Sequence, residues 1–179
     1  PEKAWGVDAY YEWYLQPRGI LSAGVFYKKV DDVLFNGLTR LGPVAFPDGV
    51  DRSDYVLSTL VNGGDGEITG FELAYQQPAE LLVEKLGWPA WLGGFGLQAN
   101  VTLTDSEAQT PNGRTVQLPG TSDAVYNAIV YYEKYGFSAR VSYQFRTDWI
   151  DGISETGITS STGGDAWWSQ DGELDLSMR

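Results

Sequence analysis

The chain has no cysteine and no histidine. Without cysteine there is no disulfide framework, no thiolate metal site and no thiol nucleophile. Without histidine the commonest general base and the usual zinc ligand are missing. Basic residues are scarce: 12 Lys and Arg face 24 Asp and Glu, a formal net charge of -12. Such a surface repels a phosphate backbone, so nucleic acid is not an expected partner. No apolar run approaches the roughly 20 residues of a membrane-spanning helix. Helical periodicity is almost missing too, the one candidate being Ala79–Leu86 between Pro78 and Gly87. Aromatic mass is what the chain does have: seven Trp, eleven Tyr and seven Phe in 179 residues. That content rules out low complexity and wholesale disorder, and the length fits one domain or a piece of one.

Everything else with a pattern alternates with period two, the signature of strands. Six segments stand out: about Ala4–Gln16, Ile20–Phe35, Glu67–Gln77, Phe95–Thr104, Ala124–Lys134 and Phe137–Trp149. A seventh begins at Glu173. The fourth is the cleanest, with Phe95, Leu97, Ala99, Val101 and Leu103 alternating with Gly96, Gln98, Asn100, Thr102 and Thr104. Globular strands usually run about 5–6 residues. Strands that span a bilayer need about 9–11, tilted by roughly 45°. Long segments with one wholly apolar face fit the second class.

The connections alternate as well. Segments one and two meet at Pro17-Arg18-Gly19, and five and six at Tyr135-Gly136. Between them, Pro78–Gly94 carries the short amphipathic stretch and Trp88-Pro89-Ala90-Trp91. The even-numbered links, Asn36–Gly66, Asp105–Asp123 and Ile150–Asp171, are long and polar. In an up-and-down sheet odd and even links lie at opposite rims, so one rim carries tight turns and the other long loops. Transmembrane β-barrels have this asymmetry. The apolar face is aromatic near segment ends (Trp5, Trp13, Tyr75, Phe95, Tyr132, Phe137, Phe145) and aliphatic between, as lipid-facing girdles are. Trp88 and Trp91, at the tight-turn rim, read as interfacial anchors. A soluble antiparallel sandwich with uneven loops is the alternative, distinguished by whether its apolar faces cover each other across a core.

Specific stretches sharpen the choice. Pro1-Glu2-Lys3-Ala4-Trp5-Gly6-Val7-Asp8 resembles the end of the "NPxLKPEKxxxxE" signature of TonB-dependent outer-membrane receptors. Gly66-Glu67-Ile68-Thr69-Gly70-Phe71-Glu72 resembles their recurring "GxxxGxE" strand start. Leu118-Pro119-Gly120, Tyr126-Asn127 and the run Tyr131–Tyr143 are similar to their paired strands "LPGxSxxxYNxxxYYExxGFSARVSY". The last run resembles the branch common among receptors for plant-derived sugars. The resemblance implies an all-β fold, an antiparallel up-and-down sheet forming part of a 22-stranded transmembrane β-barrel. It implies that residues 1–179 are a partial barrel of about six to seven strands, with the plug domain and the remaining strands absent. It implies the outer membrane of a Gram-negative bacterium, and a parent that imports a nutrient with energy from the TonB complex through that plug. Outer-membrane lipid and a small nutrient ligand are the other partners implied, a carbohydrate being favoured over a ferric siderophore. The resemblance implies no cofactor. A lone fragment would have to cover its apolar face by curling over, by self-association or by docking the Ala79–Leu86 helix.

Chemistry is sparse. Asp31-Asp32 forms a carboxylate pair, but without His or Cys nearby it reads as strand-end charge, and no enzyme activity is expected. Gly63-Gly64-Asp65-Gly66 follows no strand-to-helix unit, so it reads as the descent from a loop and not as a phosphate cradle. Asp48, Asp51 and Asp54, or Asp165 and Asp171, offer oxygen ligands for Ca²⁺ without EF-hand spacing; solubilising loop charge is the simpler account. Trp167 and Trp168, flanked by Asp165 and Gln170 in a polar loop, are the candidate ligand site. Flat indoles beside carboxylate and amide groups suit the faces of a sugar, or of a soluble carbohydrate-binding sandwich module's ligand. The plain alternative is packing between loops over the barrel mouth.

Overall fold

The computed structural model describes residues 2–43, 46–153 and 165–179. In chain order its strands are β1 (Lys3–Leu15), β2 (Gly19–Asp31), β3 (Leu34–Arg40), β4 (Val56–Asn62), β5 (Gly66–Pro78), then, after helix α1 (Glu80–Leu86) and a 3₁₀ turn (Ala90–Gly94), β6 (Phe95–Gln109), β7 (Thr115–Val116), β8 (Ala124–Lys134), β9 (Phe137–Arg146), β10 (Trp149–Gly152), β11 (Ala166–Trp168) and β12 (Asp171–Met178). The long strands pair in the order β1-β2-β5-β6-β8-β9-β12, each antiparallel to the next. This is the sequential order expected from the alternating link lengths. At about 3.3 Å per residue, the 13 residues of β1 extend roughly 43 Å, which a barrel tilt of about 40° reduces to on the order of 30 Å.

The fourth segment runs on past Thr104 to Gln109, and two other boundaries also differ from the periodic reading. The second segment breaks at Asp32, which takes a φ of 57°. The apolar alternation continues through Val33 and Phe35, but those side chains turn into the loop rim. The sixth segment stops at Arg146, and Trp149 opens a separate strand. Periodicity cannot see such a break, because a strand that changes sheets keeps its alternation. The long links also hold two hairpins of their own, β3–β4 and β10–β11. Residues 154–164 of the Ile150–Asp171 link lie outside the described residues.

The register puts one apolar face across the whole sheet. Leu21 stands opposite Trp13 and Tyr75; Ala99 opposite Tyr75 and Ala128; Tyr143 opposite Ala128 and Leu174. Directly opposed residues share a face, so Phe71, Leu73 and Tyr75 lie beside Leu103, Val101 and Ala99, as expected. Glu72, Arg140 and Gln144 belong to the other face. Nothing covers the apolar side among the described residues: Val7 is 62% exposed, Val25 54% and Val130 46%. A sandwich would bury these side chains against a second layer. One outward band is instead what lipid requires, and α1 stays at the rim against the 3₁₀ turn without covering it.

The polar face solves a different problem. Gly24, Gly70 and Gly96 lie opposite Tyr10, Phe26 and Tyr131. In each pair the ring lies across the glycine, so that a Cβ there would overlap it. Tyr10 reaches over Gly24 to the next strand, where its hydroxyl donates to Glu72 Oε2 at 2.6 Å. Aromatic side chains thus lie flat along the wall, and each ring locks the register of two strands.

Val101→Arg on the outer face should cost about 2–4 kcal/mol near mid-membrane, whereas Asn100→Arg on the inner face should fold normally. Heat-modifiability on gels and urea unfolding in lipid vesicles measure both.

Candidate ligand site at the loop rim

The sheet has no interior, and the protein-like core lies elsewhere. Val33, Phe35, Ala108, Val116, Ile150 and Ile153 form one buried cluster, with Val30, Val61 and Leu118 packed against it. Phe35 and Ile153 are each only 1% exposed. These residues come from all three long links and the strand ends that feed them, so the links meet at one rim. Glycine makes the junction possible: a Cβ on Gly63 would collide with the Phe35 ring and the Gln109 carbonyl. The Gly64 N–H donates to Gln109 O at 2.7 Å, and the Gly63 N–H to Val33 O at 2.8 Å. The Gly63–Gly66 stretch is indeed the descent from a loop.

Polar clasps tie the same links together. Arg114 grips Asp165 through two parallel bonds, Nη1 to Oδ2 at 2.9 Å and Nη2 to Oδ1 at 2.8 Å. The Gly120 N–H donates to Ile150 O at 2.7 Å. Arg146, at the top of β9, donates Nε to Ser122 Oγ at 2.6 Å and Nη2 to the Gly120 carbonyl. Its guanidinium lies 3.9 Å from the centre of the Trp149 ring. Trp149 pairs with Trp168 across the β10–β11 hairpin, and the two indoles stack at 6.0 Å with an interplanar angle of 12°.

Trp149 of this stack also lines an open recess of about 300 Å³, together with Asn127, Gln144, Arg146, Asp171 and Glu173 among others. Gln144 Nε2 donates to Glu173 Oε2 at 2.9 Å across β9 and β12. The recess therefore combines a flat apolar shelf, a stacked cation and amide and carboxylate groups.

The expected site residues separate. Trp168 joins the stack and is 57% exposed. Trp167 is opposite Ile150, which is buried in the rim core, so alternation sends it to the other face of the hairpin. Asp165 is held by Arg114, and Gln170 lies exposed in the link to β12. Periodicity marks Gln144 and Arg146 as polar-face residues, but Trp149 as Trp168's partner has no signal in it, because a short hairpin's register is set in space. The other acidic loop is also internally committed. Arg52 clasps Asp48, with Nη1 to Oδ1 at 2.8 Å, and holds its carboxyl below the usual carboxylate range. The backbone N–H of Ser53 does the same for Asp51 at 2.9 Å.

Two outcomes follow. Phe35→Ala should remove about 3–5 kcal/mol from the rim core, and Arg114→Ala should loosen residues 165–170. Both should speed amide exchange in the long links and leave the membrane strands protected. The Asp48–Arg52 clasp depends on a lowered pKa, so its contribution is complete above the ordinary carboxylate pKa and is lost as pH falls through the lowered value. The protection of the amides of residues 46–55, taken relative to their intrinsic exchange rates at each pH, should stay constant from about pH 7 to 5 and fall only below about 4.

The chain matches the family model described as TonB dependent receptor-like, beta-barrel over residues 1–175. No curated protein matches it. Among solved structures it is similar to the siderophore receptor PirA from Acinetobacter baumannii, with 14% identity, a TM-score of 0.59 and 99% of this chain covered. It is also similar to the FrpB iron transporter from Neisseria meningitidis (F3-3 variant), with 14% identity, a TM-score of 0.56 and 98% covered. It spans 25% and 24% of those two chains, respectively. At this identity the likeness is one of fold. The match over nearly every residue, the sequential antiparallel wall and the single outward apolar band agree: the chain belongs to the TonB-dependent receptor-like β-barrel family, and its place is the outer membrane of a Gram-negative bacterium.

Proposed function

We propose that residues 1–179 make up part of the 22-stranded barrel of an active-transport receptor. It imports a nutrient with energy from the TonB complex, delivered through a plug domain. Transport, and not catalysis, is the role. The cargo is carbohydrate-type, and the observation carrying that reading is the Trp149–Trp168 stack, with Trp149 also lining the recess and Trp168 exposed beside it. An exposed indole offers the apolar face of a sugar about a kcal/mol of stacking, while Asn127, Asp171 and Glu173 offer hydrogen-bonding partners for hydroxyls.

A ferric chelate is the second reading, favoured by the Arg146 cation in the recess. Its neighbours weaken it. Two of the guanidinium's donors are spent on Ser122 and Gly120, and the Asp171 and Glu173 carboxylates line the same recess. A negatively charged chelate would be repelled there.

Trp168→Ala in the full-length receptor should weaken a bound oligosaccharide about tenfold, equivalent to roughly 1.4 kcal/mol. Trp167→Ala should change affinity less. Calorimetry against neutral oligosaccharides and ferric chelates measures this; tight chelate binding with no sugar binding would reverse the assignment.

A further inference from the structure

The β5–β6 link differs from the other two connections at its rim. The β8–β9 turn needs only Tyr135 and Gly136, with φ of 56° and 78°. The β5–β6 link instead builds α1 and the 3₁₀ turn. Gly87, in the left-handed region at φ 66°, ends α1, and the Trp88 N–H returns to Val83 O at 2.9 Å. That reversal places Trp88 and, after Pro89, Trp91 just outside the helix.

Three facts say which way this foot leans. Lys134, which shares the outer face with Phe137, donates Nζ to Ala90 O at 2.6 Å. A Cβ on Gly94 would press on Tyr132, another outer-face side chain. Trp91 meets Phe95 edge-on at 6.2 Å; Phe95 meets Tyr132 at 4.9 Å, and Tyr132 meets Phe137 at 6.1 Å. The foot is therefore fastened to the lipid-facing side of the wall and continues its aromatic girdle. Val83 is 3% exposed, but Leu86, Trp88 and Trp91 are 55%, 57% and 52% exposed.

We infer that this helix and 3₁₀ turn form a lipid-docking foot, with Leu86, Trp88 and Trp91 seated at the headgroup–acyl boundary of the periplasmic leaflet. The partner is phospholipid. Indole rings favour that depth, and an apolar surface continuous with the lipid-facing band has lipid as its neighbour. The foot would hold the barrel at one depth and keep these side chains clear of the periplasmic mouth.

The test uses the full-length receptor in a cysteine-free background, with L86C, W88C or W91C carrying an environment-sensitive fluorophore and E84C as the control. Each is reconstituted into vesicles of phosphatidylethanolamine and phosphatidylglycerol, with folding checked by heat-modifiability. Labels at 86, 88 and 91 should be quenched several-fold more than at 84 by lipids brominated near the headgroup, and should resist aqueous iodide. Iodide quenching equal to the control would place the foot in water and overturn the inference. Protection from iodide without bromolipid quenching would mean a protein cover and would overturn it equally. If W91C fails to fold, L86C and W88C decide the matter by the same readouts.

Discussion

The interstrand hydrogen-bond ladder, held in one register across seven strands, is the constraint on which the rest of this structure depends. In hydrocarbon a backbone N–H or C=O has no water to fall back on, so every strand inside the membrane must pair along its full width. Pairing at constant register makes directly opposed residues share a face, and a slip of one residue would turn Val101 inward and Thr102 into lipid. The rings laid over Gly24, Gly70 and Gly96 reinforce that register from inside. They also leave the lumen side low, since an aromatic lying along the wall protrudes less than one standing from it.

Because the wall turns its apolar side outward, hydrophobic burial within the protein is displaced to the loop rim. There water surrounds the chain, and Phe35, Ile150 and Ile153 are buried for the ordinary reason. Arg114 and Arg146 add charge-assisted bonds across links far apart in sequence. The consequence for function is a preorganised rim: the indole shelf is presented by a hairpin anchored on its opposite side through Ile150. In the proposed role, a ligand arriving there would meet a surface whose ordering entropy has been met during folding. The opposite rim carries the short turns and the helical foot inferred to dock on lipid.

Much of the fold was legible in the residues. Strict alternation over Phe95–Leu103 determines both strand and facing, because period two admits no other regular structure. Tight turns against long links determine the sequential order, since short connections leave adjacent antiparallel pairing as the natural outcome. The run Tyr131–Tyr143 carried the family resemblance. The site was only partly legible. Trp168 and the polar-face residues Gln144 and Arg146 could be singled out, but Trp167 and Trp168 looked equivalent as neighbours in a loop.

Tertiary structure alone separated them. A hairpin between β10 and β11 turns one indole toward Trp149 and the other to the Ile150 side, and its register depends on spatial pairing across a long link. The break at Asp32 and the burial of Val33 and Phe35 were likewise decided by packing against Ile150 and Val116, residues more than 80 positions away. The sequence by itself determined which side chains face lipid, because alternation is a local property of the extended backbone. Which loop residues meet, and hence what the rim can hold, is a non-local property that only the assembled links decide.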